Sequence, residues 1–94
     1  MTQPLPVPHP QVLFTQIDDG SGVLLHLDTK FYFTLNRTGV AVWNALAKGT
    51  ATSIEALGAR LASEFRVDAA SATRDAAGLI EELYADGLVQ QRAP

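Results

Sequence analysis

Cysteine is missing from this 94-residue chain, which excludes disulfide bonds and thiolate metal sites. Long apolar runs are also missing, and none approaches the roughly 18 residues that a membrane-spanning helix needs. The first ten residues, MTQPLPVPHP, have neither the basic region nor the apolar core of a secretory signal. These absences predict a soluble, cytoplasmic protein with no membrane segment.

The residue groups that mark enzymes are missing as well. His9 and His26 are the only histidines, and neither has a carboxylate or a second histidine at the spacing of metal ligands. No serine lies in a nucleophile elbow, and no glycine-rich loop is present to bind phosphate. Glu81 and Glu82 are adjacent, so on a helix they point about 100° apart. We expect no catalytic residue, no metal and no cofactor.

Positive charge is scarce where a nucleic-acid-binding protein would need it. The net charge is −3, and residues 68–86 carry five acids against Arg74 alone. A winged-helix nucleic-acid binder presents Lys and Arg to the phosphates from a helix or a wing. The acidic last helix therefore disfavours nucleic-acid binding.

The composition, with 47% hydrophobic and 18% charged residues, is that of one globular domain. Proline at every second position from Pro4 to Pro10 predicts an extended, flexible tail over residues 1–10. The domain itself is expected over residues 11–90.

Three short apolar runs joined by polar turns predict a three-stranded antiparallel meander over residues 11–18, 23–28 and 31–35. In the second strand Val23, Leu25 and Leu27 share one face, which predicts that His26 on the other face is exposed.

The third strand is expected to be an edge of this sheet. Phe31, Phe33 and Leu35 fall on the face predicted to pack against the helices, and Tyr32 and Thr34 fall on the opposite face. Two interpretations remain open: a short edge covered by a helix, or a docking edge for an extended peptide.

Three helices follow, so the fold class is α+β. Asn36 is predicted to cap the first helix, a capping box of Thr52 and Glu55 the second, and Asp68 the third. The predicted buried stripes are Gly39, Val40, Trp43, Leu46 and Ala47; Ile54, Leu57, Leu61 and Phe65; and Ala72, Ala76, Leu79, Ile80 and Leu83.

Gly78 lies in the middle of the third helix, where glycine costs about 0.5–1 kcal/mol relative to alanine. The residue is at the margin of the buried stripe. Either another helix packs closely there, or the missing side chain leaves a groove.

The order and spacing of several short motifs resemble those of the PqqD family. The resemblance covers residues 12–89 and includes GVLLHLDTKFYFTLNRTGVAVWNAL. Its landmarks are Leu35, Asn36, Thr38, Gly39, Trp43, Val67, Asp68, Leu83, Gly87 and Leu88. The strand LDTKFYFTLN is more similar to generic and lasso-peptide members than to those of pyrroloquinoline quinone synthesis.

This resemblance implies a winged-helix-like recognition element of ribosomal-peptide biosynthesis. Such a domain binds the leader segment of a precursor peptide as a strand added to its third strand, against its third helix. By position, the peptide-binding residues would be Lys30, Phe31, Tyr32, Phe33, Thr34, Leu35, Arg74, Asp75, Gly78, Leu79 and Glu82. The implied partners are the precursor peptide and a modifying enzyme, namely a radical SAM enzyme, a leader peptidase or a cyclase. We expect a monomer.

Three alternatives to a non-catalytic peptide adaptor stay open at this point. They are a winged-helix nucleic-acid binder, an enzyme or small-molecule binder, and a regulatory domain that contacts only a protein partner.

The only tryptophan is predicted to anchor the aromatic strand from behind. We expect Trp43→Ala to lower the free energy of unfolding by about 3–5 kcal/mol, because a large core side chain would be lost. Urea denaturation measures this change, and a loss below about 1 kcal/mol would place Trp43 at the surface.

Overall fold

The computed structural model describes residues 5–91 of the chain. The elements are β1 (Val7–Pro8), β2 (Val12–Gln16), β3 (Gly22–His26), β4 (Tyr32–Leu35), α1 (Arg37–Lys48), α2 (Ile54–Phe65), α3 (Ala69–Ala85) and β5 (Val89–Gln90). A three-stranded antiparallel sheet has the order β2-β3-β4, and a separate antiparallel pair joins β1 to β5. The predicted meander and three helices are confirmed, with β4 as an edge strand.

The N-terminal segment lies against the domain from Leu5 onward. Leu5 is buried, β1 pairs with β5, and the His9 backbone N–H donates to the Leu88 carbonyl at 3.0 Å. Of the segment predicted to be a flexible tail, residues 5–10 therefore have a defined place, and residues 1–4, including Pro4, lie outside the described residues.

Side-chain caps begin all three helices. The Asn36 Oδ1 accepts from the Gly39 N–H at 2.8 Å, and the Asp68 Oδ2 accepts from the Ser71 N–H at 3.0 Å, as predicted. The capping box of Thr52 and Glu55 was wrong by one residue. Ser53 caps α2 instead, because its hydroxyl accepts from the Ala56 N–H at 3.0 Å and the helix begins at Ile54.

The core lies between the inner face of the sheet and the three helices. Trp43 is 4% exposed, and Leu24, Leu46, Leu57, Leu61, Leu83 and Leu88 are buried almost completely. Ala47 is exposed, contrary to prediction, whereas Val42 and Ala45 are buried. Because α1 contacts β1 and β4 as well as α2 and α3, its buried surface is wider than one stripe.

Two predictions for the sheet faces were wrong. His26 is only 6% exposed, and the core face of β3 consists of Gly22, Leu24 and His26. The His9 ring covers His26, with the ring centroids 4.8 Å apart, and the His26 Nδ1 accepts from the Asp28 N–H at 3.2 Å. Phe31 is 41% exposed, because β4 begins one residue after it.

Two helical glycines differ sharply in their surroundings. At Gly58 an added Cβ would overlap Thr73 Oγ1 and lie 2.9 Å from Thr73 Cα, so α2 and α3 pack closely there. At Gly78 an added Cβ would meet nothing within 4 Å. Close helix packing therefore explains Gly58 and does not explain Gly78.

The two positions predict alanine substitutions of opposite sign. Gly78→Ala should raise the free energy of unfolding by about 0.5–1 kcal/mol through helix propensity. Gly58→Ala should lower it by about 1–3 kcal/mol through overpacking against Thr73. Urea denaturation of both variants tests this contrast, and two changes of the same sign would contradict the packing described here.

Candidate functional site

The outer edge of β4 presents backbone groups that no strand within residues 5–91 pairs with. The His26 N–H donates to the Phe31 carbonyl at 3.0 Å, and hydrogen-bonded pairs alternate along an antiparallel ladder. Leu24 and Phe33 form the pair two residues along from His26 and Phe31, so the backbone groups of Phe33 also face β3. Those of Tyr32 and Thr34 therefore point away from the sheet, toward the open edge.

Side chains of β4 alternate between two very different surroundings. Tyr32 is 66% exposed, and Thr34 is also exposed, on the outer face of the sheet. Phe33 is half-buried against the core, and Leu35 is only 3% exposed. A strand paired to this edge would therefore place alternate side chains toward solvent and toward the helices.

Two adjoining cavities lie beside this edge and form what we call the β4–α3 groove. The first, of about 310 Å³, is lined by Phe33, Thr34, Leu35, Asn36, Gly39, Leu79 and Glu82. The second, of about 260 Å³, is lined by Asn36, Thr38, Gly39, Val42, Asp75, Ala76 and Leu79. Because Asn36, Gly39 and Leu79 line both cavities, the groove is continuous between the strand and the helix.

Gly39 keeps this groove open. It is buried in the first turn of α1, and an added Cβ would lie 3.1 Å from Leu35 Cδ2 and 3.2 Å from Asn36 Oδ1. Asn36 lines both cavities, and its Oδ1 accepts the hydrogen bond from the Gly39 N–H. A larger residue at Gly39 would press on Leu35 and fill space that both cavities share.

The helical side of the groove combines apolar and acidic side chains. Leu79 is half-buried and lines both cavities, whereas Asp75 and Glu82 are exposed and line one cavity each. Among the residues described, 5–91, no group of three His, Cys, Asp or Glu side chains is placed to hold a metal ion. The arrangement suits an extended chain with apolar side chains on one face.

Comparisons with known proteins show the family to which this chain belongs. Residues 21–89 match the family model described as coenzyme PQQ synthesis protein D (PqqD). The chain belongs to the PqqD family. The family resemblance seen in the sequence is confirmed.

Two solved structures resemble this PqqD-family chain along nearly its whole length. "TbiB1 in Complex with the TbiA(beta) Leader Peptide" has 30% identity and a TM-score of 0.79, covering 94% of this chain and 99% of that chain. "Lasso peptide synthetase B1 complexed with the leader peptide" has 30% identity and a TM-score of 0.76, covering 88% and 94%. No curated protein matches the chain.

The site residues predicted from the sequence divide into two groups in this PqqD-family structure. Those that line the groove are Phe33, Thr34, Leu35, Asp75, Leu79 and Glu82. Those that line neither cavity are exposed, and they are Lys30, Phe31, Tyr32, Arg74 and Gly78. Lys30 and Phe31 directly precede β4, Tyr32 is its first residue, and Arg74 and Gly78 lie along α3.

Sequence reasoning missed several lining residues, namely Asn36, Thr38, Gly39, Val42 and Ala76. The sequence identified Asn36 as a helix cap, Gly39 as part of a buried stripe, and Asn36, Thr38 and Gly39 as family landmarks, but none of them as a site residue. The signal that could have identified them is the direct passage from strand to helix, which brings the first turn of α1 beside β4.

The turn between β2 and β3 is hydrogen-bonded to the junction between β4 and α1. The Arg37 Nε donates to the Asp19 carbonyl at 3.0 Å. The Ser21 hydroxyl and backbone N–H both donate to the Asp19 carboxylate, at 2.6 and 2.9 Å, and with the nearby Arg37 charge they lower the pKa of Asp19. The turn is thereby ordered where it meets the first residue of α1.

The Ser21 hydroxyl is the largest cause of the lowered Asp19 pKa, so Ser21→Ala should raise that pKa toward the ordinary aspartate value. A lowered pKa stabilises the fold above the pKa of the unfolded chain, and this contribution is lost as the pH falls through the folded-state pKa. NMR titration of the carboxylate measures the shift. The exposed Ser63 on α2 supplies the control, Ser63→Ala, which should leave the Asp19 titration unchanged.

Proposed function

We propose that this domain is a peptide-binding adaptor that captures the leader segment of a ribosomally made precursor peptide. The leader adds to β4 as a fourth strand, lies over the β4–α3 groove and is presented to a modifying enzyme. One observation carries the proposal: an open strand edge lies beside a groove lined by Phe33, Leu35 and Leu79, in a chain that resembles two leader-peptide complexes.

Backbone pairing supplies the first part of the binding energy. A guest strand can exchange hydrogen bonds with Tyr32 and Thr34, whose backbone groups face the open edge. Each such bond contributes about 0.5–1.5 kcal/mol net, whatever the guest sequence. Main-chain pairing therefore provides affinity, and selectivity has to come from side chains.

The groove supplies selectivity for inward side chains. Guest residues opposite Phe33 and Leu35 point toward Gly39 and Leu79, where apolar side chains of moderate size fit. Asp75 and Glu82 on α3 disfavour acidic side chains nearby and favour basic or neutral ones. The predicted contact residues Lys30, Arg74 and Gly78 are assigned to the ends and outer margin of the same site.

The adaptor role needs no catalytic group of its own. The enzyme that receives the peptide would be a radical SAM enzyme, a leader peptidase or a cyclase, acting with a monomeric, cytoplasmic adaptor formed by residues 11–90. Within the described residues, no helix has the length and apolarity to cross a bilayer. The acidic α3 argues against the nucleic-acid-binding alternative, because phosphates require Lys and Arg.

Proline substitutions on the two sheet edges test strand addition. Thr34→Pro removes a donor that faces the β4 edge, so peptide affinity should fall by about tenfold or more. Gln16→Pro is the matched control, because Gln16 is exposed at the end of β2 and its N–H faces the opposite edge. It should leave affinity unchanged.

The measurement is fluorescence polarisation with two labelled probes. These are the leader segment of a precursor peptide encoded beside the gene and the TbiA(beta) leader peptide. Urea denaturation checks that both variants fold. Equal loss of affinity in Thr34→Pro and Gln16→Pro, or tight salt-sensitive binding of duplex DNA with no peptide binding, would contradict the adaptor proposal.

A further inference from the structure

The outer face of the sheet carries an apolar row that the groove does not use. The register places Leu13 beside Leu25 and Leu25 beside Tyr32, across all three strands. Leu13 is 53% exposed and Tyr32 is 66% exposed, with Leu25 half-buried between them. Large side chains left in water in this way cost free energy, which a covering surface would recover.

This outer face has the composition of a binding surface. The next row along the strands is Thr15, Val23 and Thr34, so neither row contains a charge. Charged residues flank the rows at both ends of the sheet: Asp18 and Asp19 in one turn, and Asp28 and Lys30 in the other. Interfaces characteristically have such a charge-depleted centre inside a polar margin.

The row ends at the edge where the guest strand is proposed to add. The backbone groups of Tyr32 face that edge, so one guest residue lies directly opposite Tyr32 and directs its side chain to the same outer face. Directly opposed Cβ atoms in an antiparallel pair are about 4.5–5.5 Å apart. The guest side chain is therefore within contact distance of the Tyr32 ring.

We propose that Tyr32, at the open end of the row Leu13–Leu25–Tyr32, is a second specificity determinant, which selects an apolar or aromatic side chain at the outward guest position opposite it. This inference rests on the proposed function and deepens it. The groove selects the inward peptide residues opposite Phe33 and Leu35. Tyr32 selects the outward residue that neighbours the one opposite Phe33. The ligand class is an extended peptide with apolar side chains on both faces near this position.

A double-mutant cycle between peptide and domain tests whether Tyr32 contacts one outward peptide residue. The probe is a linear peptide selected on the wild-type domain from a random library and kept only if Thr34→Pro weakens its binding. Each peptide residue is replaced in turn by serine, and affinities are measured for wild type, Tyr32→Ser, Leu79→Ala and Leu13→Ser. The last variant is the control, because it makes a similar change on the same row two strands away from the guest.

One outward peptide position should couple to Tyr32. Serine there should weaken binding to wild type by about two- to fivefold and leave binding to Tyr32→Ser unchanged. The neighbouring inward position, opposite Phe33, should couple to Leu79 instead, because Phe33 and Leu79 line the same cavity.

Other outcomes overturn the inference in distinguishable ways. If retained peptides bind and no position couples to Tyr32, the outer row has no role and the adaptor function stands. If Leu13→Ser couples as strongly as Tyr32→Ser, the row belongs to an interface with a protein partner. If sedimentation shows that Tyr32→Ser dissociates a dimer, the row belongs to an interface with a second copy of this chain. If no selected peptide depends on the Thr34 N–H, strand addition itself fails.

Discussion

The passage from β4 into α1 through a single residue, Asn36, is the constraint on which the rest of this structure depends. Leu35 is buried at the end of the strand, and the Asn36 side chain caps the helix that begins at the next residue. No loop separates the two elements, so strand and helix cannot move independently. The first turn of α1 is thereby held beside the strand, and Gly39 there leaves the space that the groove occupies.

An open strand edge is ordinarily a liability, because unpaired backbone groups invite unwanted pairing. Here Lys30 lies two residues before β4, and the groove and α3 lie beside the edge. These features limit what can pair: a guest strand must also fit its inward side chains between Leu79 and the strand. The same geometry that exposes the edge thus restricts its partners, as expected for a domain that recognises peptides.

Local rules predicted the elements and failed where packing over long sequence distances decided. The caps at Asn36 and Asp68, the strand order and most of the leucine core follow from spacing and side-chain chemistry close in the chain. His26 was assigned to the wrong face, because β3 carries apolar residues on both faces and the docked N-terminal segment covers the histidine. Ser53 rather than Thr52 caps α2, because two neighbouring hydroxyl residues both satisfy the rule.

The sequence by itself determined the α+β element order, the edge position of β4 and the family, because hydrophobic period, capping residues and motif spacing are local properties. Only the tertiary structure decided which side of α3 borders the strand, which glycine marks close packing and which side chains line the groove. Those features depend on which residues far apart in the chain come together, such as Leu35 and Leu79, which line the same cavity. Amino-acid composition and hydrophobic periodicity carry no information about the spatial distance between residues far apart in the chain. The groove could therefore be identified only from the tertiary structure.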